Sequence, residues 1–390
     1  MTTVDTQSFT LPYERLCPFD PPPDYAELRR RCPVTSATTA AGTPAWVVLG
    51  AQEAQRVLSD RRFGIAPKGA QVDTESLLCD GEDHARLRRV ISRGFSPRAL
   101  ADLRPRVERL AAEHVTELRE AGPPADLVGL VSRPLTLAVI TELLGVPVDD
   151  RKRFYTWAET VSAVIADDVE GWGQAWAELV AFLGELIEAK RREPADDLLS
   201  AMIAVRDADD GRLSDRELVL AAASLLSGGQ LTTVNALSIG VVKLLGLGRG
   251  LAPWRDERAA ETAVEEMLRH QAGISGEAFP RWAHEDVELA GRHIAEGDMV
   301  IVRLEAANRD PEVFADPDHF DPERTPNQHL KFGYGPHRCI GAAVARMELV
   351  TAVRALAEQL PGLALAGPRE SIPWTDHPLD SGPRKVLVTW

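Results

Sequence analysis

The segment Phe332-Gly333-Tyr334-Gly335-Pro336-His337-Arg338-Cys339-Ile340-Gly341 places one thiol between a glycine-rich stretch and a long run of apolar periodicity. Residues 327–336 are polar or rich in glycine and proline, so Cys339 falls just after a loop and just before a helix. A thiol in that position faces the positive end of the helix dipole, which favours the thiolate. Backbone N–H groups beyond it can donate to the sulfur and tune its electron donation. Gly333, Gly335 and Gly341 remove side chains where a flat macrocycle needs close approach, or where φ must be positive. His337 adds a donor two residues from the sulfur. A lone cysteine before a helix is usually an inert core residue, but Phe332, three glycines, His337 and Cys339 at fixed spacing favour a ligand. The other cysteines, Cys17, Cys32 and Cys79, form no C-x-x-C pair and have no histidine at zinc-finger spacing. With so few cysteines in so large a chain, no disulfide framework is expected.

Three other segments carry chemistry. Asp83-His84-Ala85-Arg86-Leu87-Arg88-Arg89 puts His84 and Arg88 at i, i+4 on one helix face, where two donors suit a carboxylate; alone, it reads equally as a solvated basic face. Ala263-Val264-Glu265-Glu266-Met267-Leu268-Arg269 sets Glu266 and Arg269 at i, i+3. By itself that is a surface ion pair worth a few tenths of a kcal/mol. Leu225-Leu226-Ser227-Gly228-Gly229-Gln230-Leu231-Thr232-Thr233 places two glycines inside a long apolar helix, at a cost of about 1 kcal/mol each relative to alanine. Alone, they read as room for a neighbouring helix. A P-loop, a G-x-G-x-x-G after a strand, H-E-x-x-H and G-x-S-x-G are all absent from the sequence.

F-G-Y-G-P-H-R-C-I-G resembles the haem-binding signature of the bacterial soluble cytochrome P-450 family, and the other segments follow in the family's order along essentially the whole chain. The resemblance implies haem b with Cys339 as the axial iron ligand, a thiolate that pushes electron density toward O–O cleavage. It implies that Phe332, Gly333 and Gly341 lie against the macrocycle and that the stretch Ala342–Arg346–Glu348 belongs to a helix beneath it. His84, Arg88, Arg281 (in Phe279-Pro280-Arg281-Trp282-Ala283) and His337 are implied propionate ligands; a buried dianionic edge needs several such donors. Glu266 and Arg269 become a buried pair joined by Arg324 of Phe320-Asp321-Pro322-Glu323-Arg324, a structural set. Gly228 and Gly229 become the opening for dioxygen on a helix over the distal face, and Thr232 the residue that helps deliver protons. Its hydroxyl can also bond back one turn. The family usually has an acid immediately before that threonine; here Leu231 stands there, preceded by Gln230, and neither shuttles protons as a carboxylate does.

Amphipathic helical patterns must position these residues: 84–94, 101–120, 131–145, 151–166, 174–192, 215–247, 259–271 and 342–359. Apolar runs at Trp46–Leu49, Val300–Leu304 and Val386–Trp390 predict strands. Residues 1–24 read as a proline-rich arm lying on the body. The expected architecture is one mainly α domain over 1–390 with a minor β portion nearer the C-terminus, the cytochrome P-450 fold, with haem buried between the long distal helix and the cysteine loop with its following helix. A chain of 390 residues, 44% apolar and 26% charged, is ample for a globular core. A net charge of −15 argues against nucleic acid and anionic membranes, and no apolar run is expected to span a bilayer. Met1–Asp24 carries prolines and charges where a signal peptide is apolar, so the expectation is a cytoplasmic protein, and a monomer.

Substrate contacts are expected from the loop 64–80, the helix 160–180 with Trp172 and Trp176, Ser224–Gly228, residues 273–279 and the turn 376–382 with Asp376 and His377. The first loop is short, which suggests a modest, rigid substrate. The expected activity is oxidation of a small natural product with dioxygen and electrons from a ferredoxin and its reductase, the ferredoxin docking on Lys331, Arg338, Arg346, Arg88 and Arg93. Oxidative coupling or cyclisation of an aromatic substrate such as a cyclic dipeptide is the alternative reaction. A non-catalytic haem-binding sensor is the alternative of another class.

Overall fold

A computed structural model of the chain describes residues 9–11, 13–162, 169–208, 213–272, 279–375 and 381–390. It divides into two units, each drawn from two stretches: Met1–Val72 with Leu268–Cys339, and Asp73–Met267 with Ile340–Trp390.

Short β-branched runs build the first unit. Its six-stranded sheet runs Phe9–Thr10, Val34–Thr38, Pro44–Val48, Met299–Val302, Arg281–Ala283, Phe63–Gly64, with Pro44–Val48 and Met299–Val302 parallel and Ala45 opposite Met299. Successive residues go to opposite faces. Ala45, Val47 and Ile301 pack with Tyr13, Tyr25 and Leu28. Val48, Val300 and Val302 pack with Ala54, Val57 and Leu289. Both faces are covered, which is why the central strands read as unbroken apolar runs. A hairpin, Val287–Leu289 with Arg292–Ile294, completes the β structure of this unit among the described residues. The β portion is therefore not confined to the C-terminal region as expected: four of the six strands precede residue 65. Pro44–Val48 overlaps the apolar run predicted at Trp46–Leu49; the other three are two residues long or, as in Val34–Thr38, rich in serine and threonine, so they carry little periodic signal. Val300–Leu304 ends early, at Val302, and Leu304 opens the helical turn Leu304–Ala307. The N-terminal arm is stitched in by Phe9–Thr10, parallel to Ala37–Thr38, with Leu11 and Phe19 buried.

The second unit is helical. Helices Gly81–Arg93, Pro97–Ala121, Arg133–Leu144, Arg151–Ser162, Val169–Arg192, Asp215–Leu245 and Ala342–Gln359 stand where the apolar spacing predicts them. The helix Glu257–His270 does too, and its last turn belongs to the first unit. Leu198–Ala208 in this unit, and Asp24–Arg31 and Ala51–Ser59 in the first, are additional. The stripe of Ala51–Ser59 is only Ala51, Ala54 and Val57, too small to stand out. Leu387–Thr389, within the predicted C-terminal strand, pairs with Ala364–Leu365 and Ala125–Asp126.

The long helix Asp215–Leu245 begins at a capping box, Ser214 and Glu217 each bonding the other's backbone N–H. The expectation that no segment is long and apolar enough to cross a membrane is corrected here: this helix is, by length and composition, with a window of mean hydropathy 1.3. It is 67% buried within the protein over that window, and the same apolarity is what a core helix needs.

Ala342–Gln359 and Arg133–Leu144 are joined by a buried bond in which Thr136 Oγ1 donates to Glu348 Oε1 (2.6 Å). Burial disfavours the charged carboxylate and pushes the Glu348 pKa up to about 7, the Thr136 bond opposing it weakly. The folded state thus holds a proton that the unfolded chain releases near 4.5, so this group's contribution is full at low pH and is lost as pH rises toward 7. Relative to the parent, Glu348→Gln is expected to gain about 2 kcal/mol between pH 5 and pH 8 in denaturant titrations; a parent-to-variant gap that stays constant with pH contradicts this.

Candidate active site

In the first unit the cysteine loop is built by backbone geometry. Gly333 and Gly335 have φ of 69° and 71°, the left-handed region expected of them, whereas Gly341 lies at −81°. The N–H of Gly333 donates to Leu330 O (2.8 Å), that of Arg338 to Gly335 O (3.1 Å) and that of Cys339 to Phe332 O (2.8 Å), closing the loop on itself. A Cβ on Gly335 would stand 2.3 Å from Leu58 O and 2.9 Å from Ser59 Cα, so the loop rests directly on the end of the helix Ala51–Ser59. Cys339 is the one exposed cysteine of the four.

Further support comes from behind the loop. Leu330 N–H donates to Asn308 Oδ1 (2.7 Å). Arg269, fully buried, donates to Asn308 O and Pro317 O (both 2.8 Å) and to His319 O (3.2 Å), with its guanidinium 5.0 Å from the Phe314 ring. Arg324 reaches Ala315 O (2.7 Å), Asp316 O and His319 O. Glu266 is also fully buried, so the surface-pair reading of Glu266 and Arg269 is wrong. Apolar spacing cannot reveal a charged residue turned inward toward carbonyl groups. Sequence reasoning missed Arg309, 4% exposed, which bonds Asp318 Oδ1 (2.9 Å) and His270 Nδ1 (2.8 Å) in the same loop. Arg281 is buried on the sheet strand Arg281–Ala283 and donates to Phe279 O (3.1 Å); His337 is half-buried.

The second unit contributes His84, buried, and Arg88, half-buried, one turn apart on Gly81–Arg93. On the long helix, Ser224, Leu225, Ser227, Gly228, Gly229, Leu231 and Thr232 are partly or wholly exposed, while Ala221–Ala223, Leu226, Gln230 and Thr233–Leu245 are buried. The open stripe follows i, i+4, i+8 through Ser224, Gly228 and Thr232. A Cβ on Gly228 would meet nothing within 4 Å, and on Gly229 only Ile140 Cδ1 at 3.5 Å. Gly240, by contrast, would drive a Cβ to 2.1 Å from Met267 Cε. So Gly240 admits a neighbouring helix and Gly228 does not. Thr232 Oγ1 donates to Gly228 O (2.8 Å), the back-bond expected of it.

Other expected contacts divide. Trp172 and Trp176 are half-buried and stacked, centroids 5.6 Å apart and planes at 7°, with Trp172 Nε1 donating to Val161 O (3.1 Å). Phe279 is exposed. The base of the C-terminal turn presses on the long helix, since a Cβ on Gly382 would overlap Asn235. Residues 163–168, 273–278 and 376–380, the last with Asp376 and His377, lie outside the described residues. Of the five basic residues expected to dock a ferredoxin, Lys331 is buried and Arg346 is held by Glu265 through two bonds (2.6 and 2.9 Å). Arg93 and Arg338 are exposed and Arg88 half-buried, so the basic face is smaller than the sequence suggests.

Each unit separately offers groups that suit an iron porphyrin: in the first an exposed thiol on a loop with two left-handed glycines, and in the second a helix face cleared by glycine. A family model for cytochrome P-450 matches residues 259–358. Nocardicin C N-oxygenase from Nocardia uniformis subsp. tsuyamanensis is 39% identical over 402 residues, covering 100% of both chains. Among solved structures, the LnmA cytochrome P-450 hydroxylase from the leinamycin biosynthetic pathway of Streptomyces atroolivaceus S-140 matches with a TM-score of 0.91 and 36% identity, over 98% of this chain and 100% of that one. The putative thioether synthase SgvP, involved in the tailoring step of griseoviridin, matches at 0.90 and 36%, with the same coverage.

Gly335→Ala is expected to lower stability by more than the roughly 1–2 kcal/mol of a left-handed alanine, because the methyl also meets Leu58 O. Thermal unfolding tests this, and a midpoint equal to the parent's would refute the tight seating of the loop.

Proposed function

Because the chain belongs to the cytochrome P-450 family, and so is an oxidoreductase carrying haem b, we propose that it oxidises a small natural product with dioxygen and electrons from a separate ferredoxin and ferredoxin reductase. The observation that carries the reading is Cys339, an exposed thiol on a loop whose two left-handed glycines seat it. Relatives named for N-oxygenation, hydroxylation and thioether synthesis support the substrate class. Bound, haem would activate dioxygen, and dioxygen supplies the oxidising equivalents.

The protein's own groups then have these roles. Cys339, as thiolate, would hold the haem iron, and Phe332, Gly333 and Gly341 would leave the macrocycle room. Arg281 and His337 in one unit, and His84 and Arg88 in the other, neutralise the propionates. Glu266, Arg269 and Arg324 hold the loop region and take no part in chemistry. Gly228 and Gly229 clear the long helix for dioxygen and substrate. Thr232 commits its hydroxyl proton to Gly228 O, leaving its oxygen lone pairs to accept from a water or from the substrate. Arg93 and Arg338 remain to meet an acidic ferredoxin. We place the protein in the cytoplasm as a monomer.

Leu231 favours a second reading. With no acid beside Thr232, protons come through water or from the substrate's own N–H or O–H, which suits oxidative coupling or ring closure of an aromatic substrate such as a cyclic dipeptide.

Two measurements test these readings. Dithionite reduction under carbon monoxide is expected to give the strongly red-shifted Soret band of an intact thiolate, lost in Cys339→Ala; no shifted band in the parent overturns the ligand assignment. Turnover of any spin-shifting compound under isotopically heavy dioxygen is expected to add the label to the product. A product that has lost two hydrogens and carries no label selects coupling, and haem loading with no turnover of any such compound selects a sensor.

A further inference from the structure

Within the second unit, the segment Asp73–Asp80 runs into the helix that bears His84 and Arg88, and helix and segment are each tied to the first turn of the long helix, by contacts of different character. The first tie, made by the helix itself, is closed at its acid and partly open at its arginine, the side chains of Glu217 and Arg86 being 5% and 31% exposed. Arg86 reaches Glu217 with both terminal nitrogens, one at 3.2 Å, and Glu217, 4% exposed, also accepts from Ser214 N–H (2.6 Å). Losing Arg86 would leave the Glu217 carboxylate buried without its cation, so this tie costs more to break than an exposed one. The second tie is wet. Arg216 forks onto Asp73 (3.0 and 2.6 Å) and also bonds Glu75, while Ser214 Oγ donates to Glu75 Oε1 (2.7 Å). The side chains of Arg216, Asp73 and Glu75 are 56%, 41% and 34% exposed. Water can replace each partner as it leaves, so this tie breaks cheaply and is weakened by salt. The segment otherwise bonds mainly to itself, through Glu75 N–H to Asp73 Oδ1 and Leu78 N–H to Ser76 Oγ (both 3.1 Å), and Leu78 is 60% exposed.

We propose that Arg216 is a positioning residue that latches segment 73–80 to the start of the long helix, and that release of this fork governs how fast small molecules enter and leave the oxidation site. The inference rests on reading 64–80 as a substrate-side loop. The Arg86–Glu217 fork holds the helix Gly81–Arg93 and buried Cys79 holds the end of the segment, so release of the exposed fork frees the part ahead of Leu77.

The test uses the haem-loaded enzyme with 4-phenylimidazole as probe, its binding followed by the Soret change in stopped flow, and hydrogen–deuterium exchange read peptide by peptide. In Arg216→Ala, exchange in 73–80 is expected to rise about fivefold, the size of effect an exposed charge pair can hold back, with Ala342–Gln359 unchanged. Probe association and dissociation should both accelerate by a similar factor, leaving Kd within about twofold of the parent's. Arg216→Lys, which keeps the charge and loses the fork, should fall between. Raising salt should speed the parent toward the alanine variant and leave the variant itself unmoved. Unchanged exchange in 73–80, or probe rates equal to the parent's, overturns the proposal. If Arg216→Ala loosens the whole protein, Asp73→Asn decides from the loop side and leaves the Ser214–Glu75 bond at the helix cap in place: a rise confined to 73–80 sustains the latch, and none overturns it. Neither exchange nor probe binding requires turnover, so a failed latch is distinguishable from a failed assignment of the oxidation reaction.

Discussion

A guanidinium taken wholly out of water has lost five donors' worth of hydration and must be given acceptors in return. Arg269 receives them from the carbonyl groups of Asn308, Pro317 and His319. In doing so it folds the 308–319 loop around itself and fixes Asn308, whose side-chain oxygen then takes the N–H of Leu330. Leu330 in turn accepts from Gly333, and Phe332 from Cys339. The thiol thus stands at the end of an uninterrupted line of bonds that begins at one desolvated charge. Arg324 and Arg309 brace the same loop, so three cations organise backbone that has no helix or strand to hold it.

The long helix solves a different problem. Nearly all of its circumference is apolar and enclosed, yet one stripe through Ser224, Gly228 and Thr232 stays open. A helix this apolar owes its stability to packing on the closed sides, which offsets the cost of two adjacent glycines on the open one. The reactive face can therefore be bare without the element being weak.

How much of this is legible in the sequence depends on the range over which each feature is set. Helices came through clearly because apolar spacing is a local record of burial. The left-handed Gly333 and Gly335, and the back-bond of Thr232, are local too, and were foreseeable from residue type. Two-residue strands such as Phe63–Gly64 leave no pattern to read. Nor does a charge's partner: Arg86 and Glu217 are 131 residues apart, and Arg216 and Asp73 are 143 apart, so their pairing exists only once the chain has folded. Inward-turned charges are hidden for the same reason: Lys331 reads as a surface residue, and the burial of Glu266 and Arg269 is implied by the family resemblance and not by their own spacing.

Among the described residues, both margins of the six-stranded sheet, Phe9–Thr10 and Phe63–Gly64, are two residues long. Pairing between sheets of different molecules calls for a longer register of free N–H and C=O groups, on the order of six residues in the most adhesive segments. The apolar runs that could supply it, around Val47 and Ile301, are enclosed in the middle of the sheet. Along the described residues the sheet therefore offers another molecule little free edge, because its borders are short and its apolar centre is enclosed.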